Sequence, residues 1–158
     1  MKPLILFYSF GGNTRRIAKM IQEEIGGDLY EIETAAPYTG SYEEVVEQGE
    51  REVNSGFMPE LKPLQADLSQ YDTIVLGSPV WWYTYAPAMK TFLHQTDLSG
   101  KTIYPFATNG GWLGHTLKDF AKGCTGAAVH AGLDIRFDTD QLRTAESTVR
   151  QWAKSIGR

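Results

Sequence analysis

Residues 4–8 read LILFY, a strand-length run without one polar side chain to turn toward water. A strand written this way has to be covered on both faces, which is the condition of parallel strands sandwiched between helices. The rest of the chain repeats that logic. Ile17, Met20, Ile21 and Ile25 fall on one helical face, and Gly26 and Gly27 supply a left-handed stop. Residues 29–33 read as a second strand, 42–53 as a helix, and 73–77 (TIVLG) as a third apolar strand. Pro87 suits the first turn of a helix carrying Met89, Phe92 and Leu93, because its missing amide would be unpaired there anyway. A fourth strand is expected at 102–107, a short helix at 115–122 and a glycine-interrupted fifth strand at 127–135. Asp138 and Asp140 offer N-caps for a last helix through Leu142, Ala145, Val149, Trp152 and Ile156. Alternating strands and amphipathic helices make an α/β fold: a doubly wound, five-stranded parallel sheet.

The 158 residues match one domain, 1–158, with no repeat or linker to divide it. A chain this long buries about two thirds of its surface in a single core and needs neither disulfide nor structural metal. Cys124 is alone, so no intrachain disulfide forms, and a reducing cytoplasm is the expected location. The opening residues lack a secretory pattern, and no run approaches the roughly 20 apolar residues of a membrane span. The net charge of −4 is unevenly placed: residues 41–60 hold six glutamates against Arg51 alone, a local −5. That segment is a solvated helix face or a docking surface for a basic partner. No basic stripe interleaved with aromatics is present, which argues against nucleic acid.

In a doubly wound sheet, ligands sit beyond the carboxyl ends of the strands, where strand order reverses. The loops after strands one, three and four are therefore the informative ones. Ser9, Phe10, Gly11, Gly12, Asn13 and Thr14 lead directly into a helix. Glycines let successive amides converge, and the helix end and the Ser9, Asn13 and Thr14 side chains add donors, so the loop suits a phosphate; a plain turn with an N-cap is the alternative. It is neither a Walker A loop nor a G-x-G-x-x-G fingerprint. Next comes Ser78, Pro79, Val80, Trp81, Trp82, Tyr83, Thr84 and Tyr85, four aromatics in five positions. Such a loop tip calls for a planar ligand, a satellite core or a homodimer contact to cover it. Thr108, Asn109, Gly110, Gly111, Trp112, Leu113 and Gly114 follow strand four, with three glycines that admit close backbone approach. Asn109-Gly110 is also a hairpin signal, opposed by the helical reading of 115–122.

Taken together, SFGGNT, SPVWWYTYAPAMKTFL and TNGGWLG resemble the flavodoxin family over essentially the whole chain. The resemblance implies a flavodoxin-like sheet of order 2-1-3-4-5 with FMN as cofactor. Ser9, Gly11, Gly12, Asn13 and Thr14 would then hold the phosphate. Pro79, Val80, Trp81, Trp82 and Tyr83 would flank the ring and ribityl chain, with Trp81, Trp82 or Tyr83 stacking. Thr108, Asn109, Gly110, Gly111, Trp112 and Gly114 would meet the pyrimidine edge. Two departures stand out: Gly11 replaces a hydroxyl residue, and residues 78–85 lack the glycine with which many flavodoxins turn a carbonyl toward the half-reduced flavin.

Other chemistries find little support. His94, His115 and His130 lie far apart without cysteine or carboxylate at metal-ligand spacing. Cys124 lacks the arginine of a phosphatase loop, and Ser9 and Ser78 stand where a response regulator needs acids. Arg15 and Arg16 read as a solvated helix surface or as added field at the phosphate. The functions left are an electron carrier serving a redox partner protein or small electron acceptor, an NAD(P)H-dependent FMN or quinone reductase, and a flavin-free interaction module. A monomer or weak homodimer is expected in each case.

Overall fold

A computed structural model describes residues 2–157. Four strands and three helices build the first part: β1 (Leu4–Phe7), α1 (Asn13–Ile25), β2 (Asp28–Glu31), α2 (Tyr42–Ser55), β3 (Thr73–Trp81), β4 (Thr84–Tyr85) and α3 (Pro87–Gln95). The second part holds β5 (Thr102–Asn109), α4 (Thr116–Gly123), β6 (Ala128–Val129), β7 (Leu133–Asp138), β8 (Gln141–Leu142) and α5 (Glu146–Lys154). The path through the sheet runs β2-β1-β3-β5-β7-β8. Its parallel strands β2, β1, β3, β5 and β7 follow the expected 2-1-3-4-5 order when counted alone. Register is set across β1, where Ile5 lies between Leu29 and Val75.

All four β1 residues are buried, as a strand covered on both faces must be. Leu4, Leu6, Ile74, Leu76, Met89, Phe92 and Phe120 fill one layer. Ile5, Phe7, Ile17, Ile21, Val75, Phe106, Val149 and Ala153 fill the other, where α1 and α5 lie. Arg150 of α5 reaches Glu24 of α1 at 2.9 Å across that layer and holds Glu146 on its own helix at 2.8 Å. Ser41 caps α2 by accepting the Glu44 amide at 3.2 Å, and Gly56 ends it at φ 71.

Among the described residues the sheet has eight strands rather than five. The expected fifth strand is two, β6 and β7, separated by residues 130–132. Pro105 is the cause: its carbonyl faces Gly132, so the amide it lacks would have pointed there too, and the ladder has no donor at that level. β3 continues through Trp81 and folds back antiparallel as β4, so Pro79, Val80 and Trp81 are strand rather than loop. Asp138 and Asp140 flank a turn into β8 instead of capping the last helix, which starts at Glu146 behind Ala145. Among the described residues no helix is long and apolar enough to cross a membrane.

Candidate functional site

The three loops singled out in the sequence meet at the carboxyl ends of β1, β3 and β5. In the first, Gly11 and Gly12 adopt φ values of 83 and 98, which turns the chain into α1. The first amides of a helix have no intrahelical acceptor. Among the described residues Arg15 finds one in the Ser9 hydroxyl at 3.2 Å, whereas the amides of Gly11, Gly12, Asn13 and Thr14 donate to no protein oxygen. They carry the positive end of a 13-residue helix, and the space where a Cβ of Gly11 or Gly12 would stand is open. The side chains of this loop are partly committed. Thr14, buried, shares a hydrogen bond with Thr108 at 2.8 Å, and Asn13 donates to the Thr139 carbonyl at 2.8 Å. Arg15 turns away to Glu31, donating from Nε at 2.8 Å, and Arg16 stands 6.0 Å from the Phe137 ring.

The second loop is a tight hairpin whose turn residues, Trp82 and Tyr83, have φ values of 49 and 73 without being glycine. Left-handed backbone costs an L-residue about 1–2 kcal/mol. Three contacts hold it there. The Trp82 indole donates to the Val46 carbonyl of α2 at 3.0 Å, the Tyr83 carbonyl accepts the His115 amide at 2.8 Å, and Gly114 lies directly under Tyr83. Ser78 locks the base of the hairpin by accepting the Ala86 amide at 3.0 Å. Trp81 turns inward and packs edge-on against Tyr38, Tyr8 and Phe10 at 5.0, 6.0 and 6.0 Å. A cavity of about 320 Å3 lies between this box and α2, lined by Phe10, Val45, Val46, Val80 and Trp82 among others.

In the third loop Asn109 accepts the Gly111 amide at 2.9 Å and donates to Asp134 at 2.6 Å, so its side chain shapes the turn. Trp112 is 69% exposed, and its ring meets Tyr83 edge-on at 6.0 Å. The hairpin and this loop are therefore joined at their tips. Asp119 of α4 fastens them lower down, accepting Thr84 Oγ1 at 2.5 Å and the His115 ring.

The titratable groups nearby favour neutral forms. Burial, then Glu52 and Glu31, push the Tyr8 phenol well above its ordinary range. Burial also raises Tyr38, followed by its hydrogen bond to Glu52 at 2.5 Å. Tyr85 is pushed up to about 12 by burial and by Asp119, and burial raises the Cys124 thiol to about 11. These side chains serve as packing, and Tyr38 also as a donor to Glu52. Among the described residues no three His, Cys, Asp or Glu side chains gather as a metal site. The arrangement is that of a holder: free main-chain donors at one end, aromatic faces and glycine backbone at the other.

The sixteen residues expected from sequence fall on these loops and on the ends of α1, β3 and β5 that flank them, although Trp81 and Trp82 are spent on the box and on α2 while Tyr83 and Trp112 face outward together. Tyr8, Tyr38, Asp119, His115 and Thr139 were not anticipated as supports. Asp119 had a legible signal, four residues after His115 on a helix, whereas the Thr139 contact spans 126 residues and has none.

A family model described as flavodoxin matches residues 2–155. The chain belongs to the flavodoxin family. The chain is 30% identical to a putative flavoprotein from Bacteroides eggerthii DSM 20697, with a TM-score of 0.81 over 99% of this chain and 98% of that one. It is 28% identical to a flavoprotein in complex with FMN from Lactobacillus acidophilus NCFM, with a TM-score of 0.75 over 97% of this chain and 99% of that one. Flavodoxin 1 of Escherichia coli (strain K12) is 29% identical over 106 residues, 65% of this chain and 46% of that protein. The match thus spans about half the length of the curated relatives.

Proposed function

We propose that this flavodoxin-family chain holds FMN across its three loops and exchanges electrons between the bound flavin and a redox partner protein or a small electron acceptor. The observation that carries this reading is the convergence of the free amides of residues 11–14 with the outward Tyr83 and Trp112 rings, 6.0 Å apart, at one end of the sheet. Phosphate would take the amides and the Ser9 hydroxyl proton, the ring would take the aromatic faces, and residues 108–114 would meet its polar edge. The FMN-bound relative from Lactobacillus acidophilus supports the cofactor. Bound FMN supplies one- and two-electron chemistry, and the chain supplies binding, orientation and exclusion of water. The exposed Glu43, Glu44, Glu47 and Glu50 of α2 stand beside the hairpin and suit a partner with a basic face.

The NAD(P)H-dependent reductase reading is favoured by one observation. The Tyr83 carbonyl at the hairpin tip already accepts the His115 amide, and the turn holds no glycine, so this main chain is ill suited to rearrange with each single electron. Anaerobic addition of NADPH to the FMN-loaded protein separates the two. Rapid bleaching without a partner overturns the carrier, bleaching only with a reductase present overturns the enzyme, and failure to bind added FMN overturns both.

A further inference from the structure

A groove of about 590 Å3 opens behind the third ligand loop, lined by Gly110, Arg136, Phe137, Asp138, Arg143 and Thr144. Its walls are fixed. The Asn13 side chain ties the phosphate loop to the β7–β8 turn through Thr139 at 2.8 Å, and the Arg143 amide donates to the Arg136 carbonyl at 2.8 Å. The Arg136 guanidinium lies along Gly111, close enough that a Cβ there would stand 3.3 Å from it.

Charge in the groove is set by what is paired. Among the described residues Arg136 has no carboxylate within salt-bridge distance. Its neighbour on β7, Asp134, accepts the Asn109 amide at 2.6 Å instead. Asp138, the carboxylate that lines the groove, is held by one nitrogen of Arg143 at 3.0 Å, which leaves other donors of that guanidinium free. Asp140 flanks the turn, and Arg16 stands over Phe137 on the far side. A chain with net charge −4 therefore sets two of its seven arginines, Arg136 and Arg143, at one opening beside the ring-binding loop.

Two guanidinium groups lining a groove of nucleotide size supply the donors that adjacent phosphates need. We propose that this groove is a second binding site, a subsite for the diphosphate of a dinucleotide co-substrate, continuous at Gly110 with the loop that meets the flavin. The proposal rests on the FMN reading above for its purpose, but the site is made of other residues.

The test uses the FMN-loaded protein and oxidised dinucleotides, which bind without reacting. NADP+ and NAD+ are titrated calorimetrically, with inorganic pyrophosphate as competitor. Saturable binding of at least one dinucleotide is expected, weakened about tenfold by Arg136→Ala and by Arg143→Ala, displaced by pyrophosphate and reduced by salt. Arg51→Ala on α2 serves as the control for general electrostatics and leaves the affinity unchanged, and FMN affinity changes less than twofold in all variants. No saturable binding at millimolar dinucleotide overturns the proposal, as does binding that survives the double arginine variant. Pyrophosphate binding without either dinucleotide overturns it too. A chain that binds dinucleotide through the arginines but takes up no FMN overturns the flavin reading and leaves the groove standing.

Discussion

Gly114→Ala tests whether the hairpin after β3 and the loop after β5 depend on their contact at the tip. Gly114 has φ 59, and a Cβ there would lie 2.4, 2.5 and 2.6 Å from the carbonyl oxygen, Cα and Cβ of Tyr83. Backbone rather than a flexible side chain is in the way, so the loops must part by about 1 Å to restore ordinary contact. The separation removes the His115 amide to Tyr83 carbonyl bond of 2.8 Å, worth about 0.5–1.5 kcal/mol net. Left-handed alanine adds about 1 kcal/mol. Gly100→Ala isolates that second contribution, since Gly100 has φ 77 with nothing within 4 Å of its Cβ. With the strain of displacement included, Gly114→Ala is expected to cost about 2 kcal/mol more than Gly100→Ala, a melting difference of about 4–8 °C at this chain length. FMN affinity falls in Gly114→Ala, whereas affinity for inorganic phosphate stays unchanged because the first loop is untouched. Thermal melting followed by circular dichroism and FMN titration by fluorescence supply both readouts. Two variants melting within about 1 °C of each other, or taking FMN equally well, would refute the reasoning.

Asp119→Ala removes the acceptor of both Thr84 and His115, so it is expected to weaken FMN about tenfold, with Asp119→Asn recovering part of the loss; equilibrium dialysis measures both. Tyr71 and Asp28 share a hydrogen bond that lowers the carboxyl below its ordinary range and pushes the phenol up to about 12. A depressed acid stabilises above its unfolded pKa and a raised phenol below its own, so Tyr71→Phe lowers Tm between about pH 4 and 10, and the gap to wild type narrows outside that window. Cys124, buried and raised to about 11, reacts slowly with a disulfide reagent at pH 8 in the folded protein and rapidly in guanidinium, as absorbance of the released thiolate will show.

The fold was legible wherever residues specify their own environment. LILFY and TIVLG announce buried strands, and the helix faces of α1 and α3 follow from apolar spacing alone. The differences arise where a partner strand decides. Pro105 reads as an ordinary strand residue until the strand beside it needs the missing amide, and residues 79–81 read as loop because Pro79 and the aromatic run that begins at Trp81 give no alternation. At the site, residue types announced each loop separately. Their mutual support did not show, because a Trp82 indole reaching Val46 or an Asn13 amide reaching Thr139 depends on which elements the fold brings together.

The bond between Asn13 and Thr139 spans 126 residues, as does the pair between Arg150 and Glu24. Closing a loop of that size costs about 4 kcal/mol in chain entropy beyond a constant, so both contacts form only once the intervening sheet has repaid it. The loop before α1 precedes the β7–β8 turn that anchors it by 126 residues. A cofactor that needs the anchored loop is therefore captured only after the sheet between residues 13 and 139 has formed, so its uptake reports on that long-range assembly.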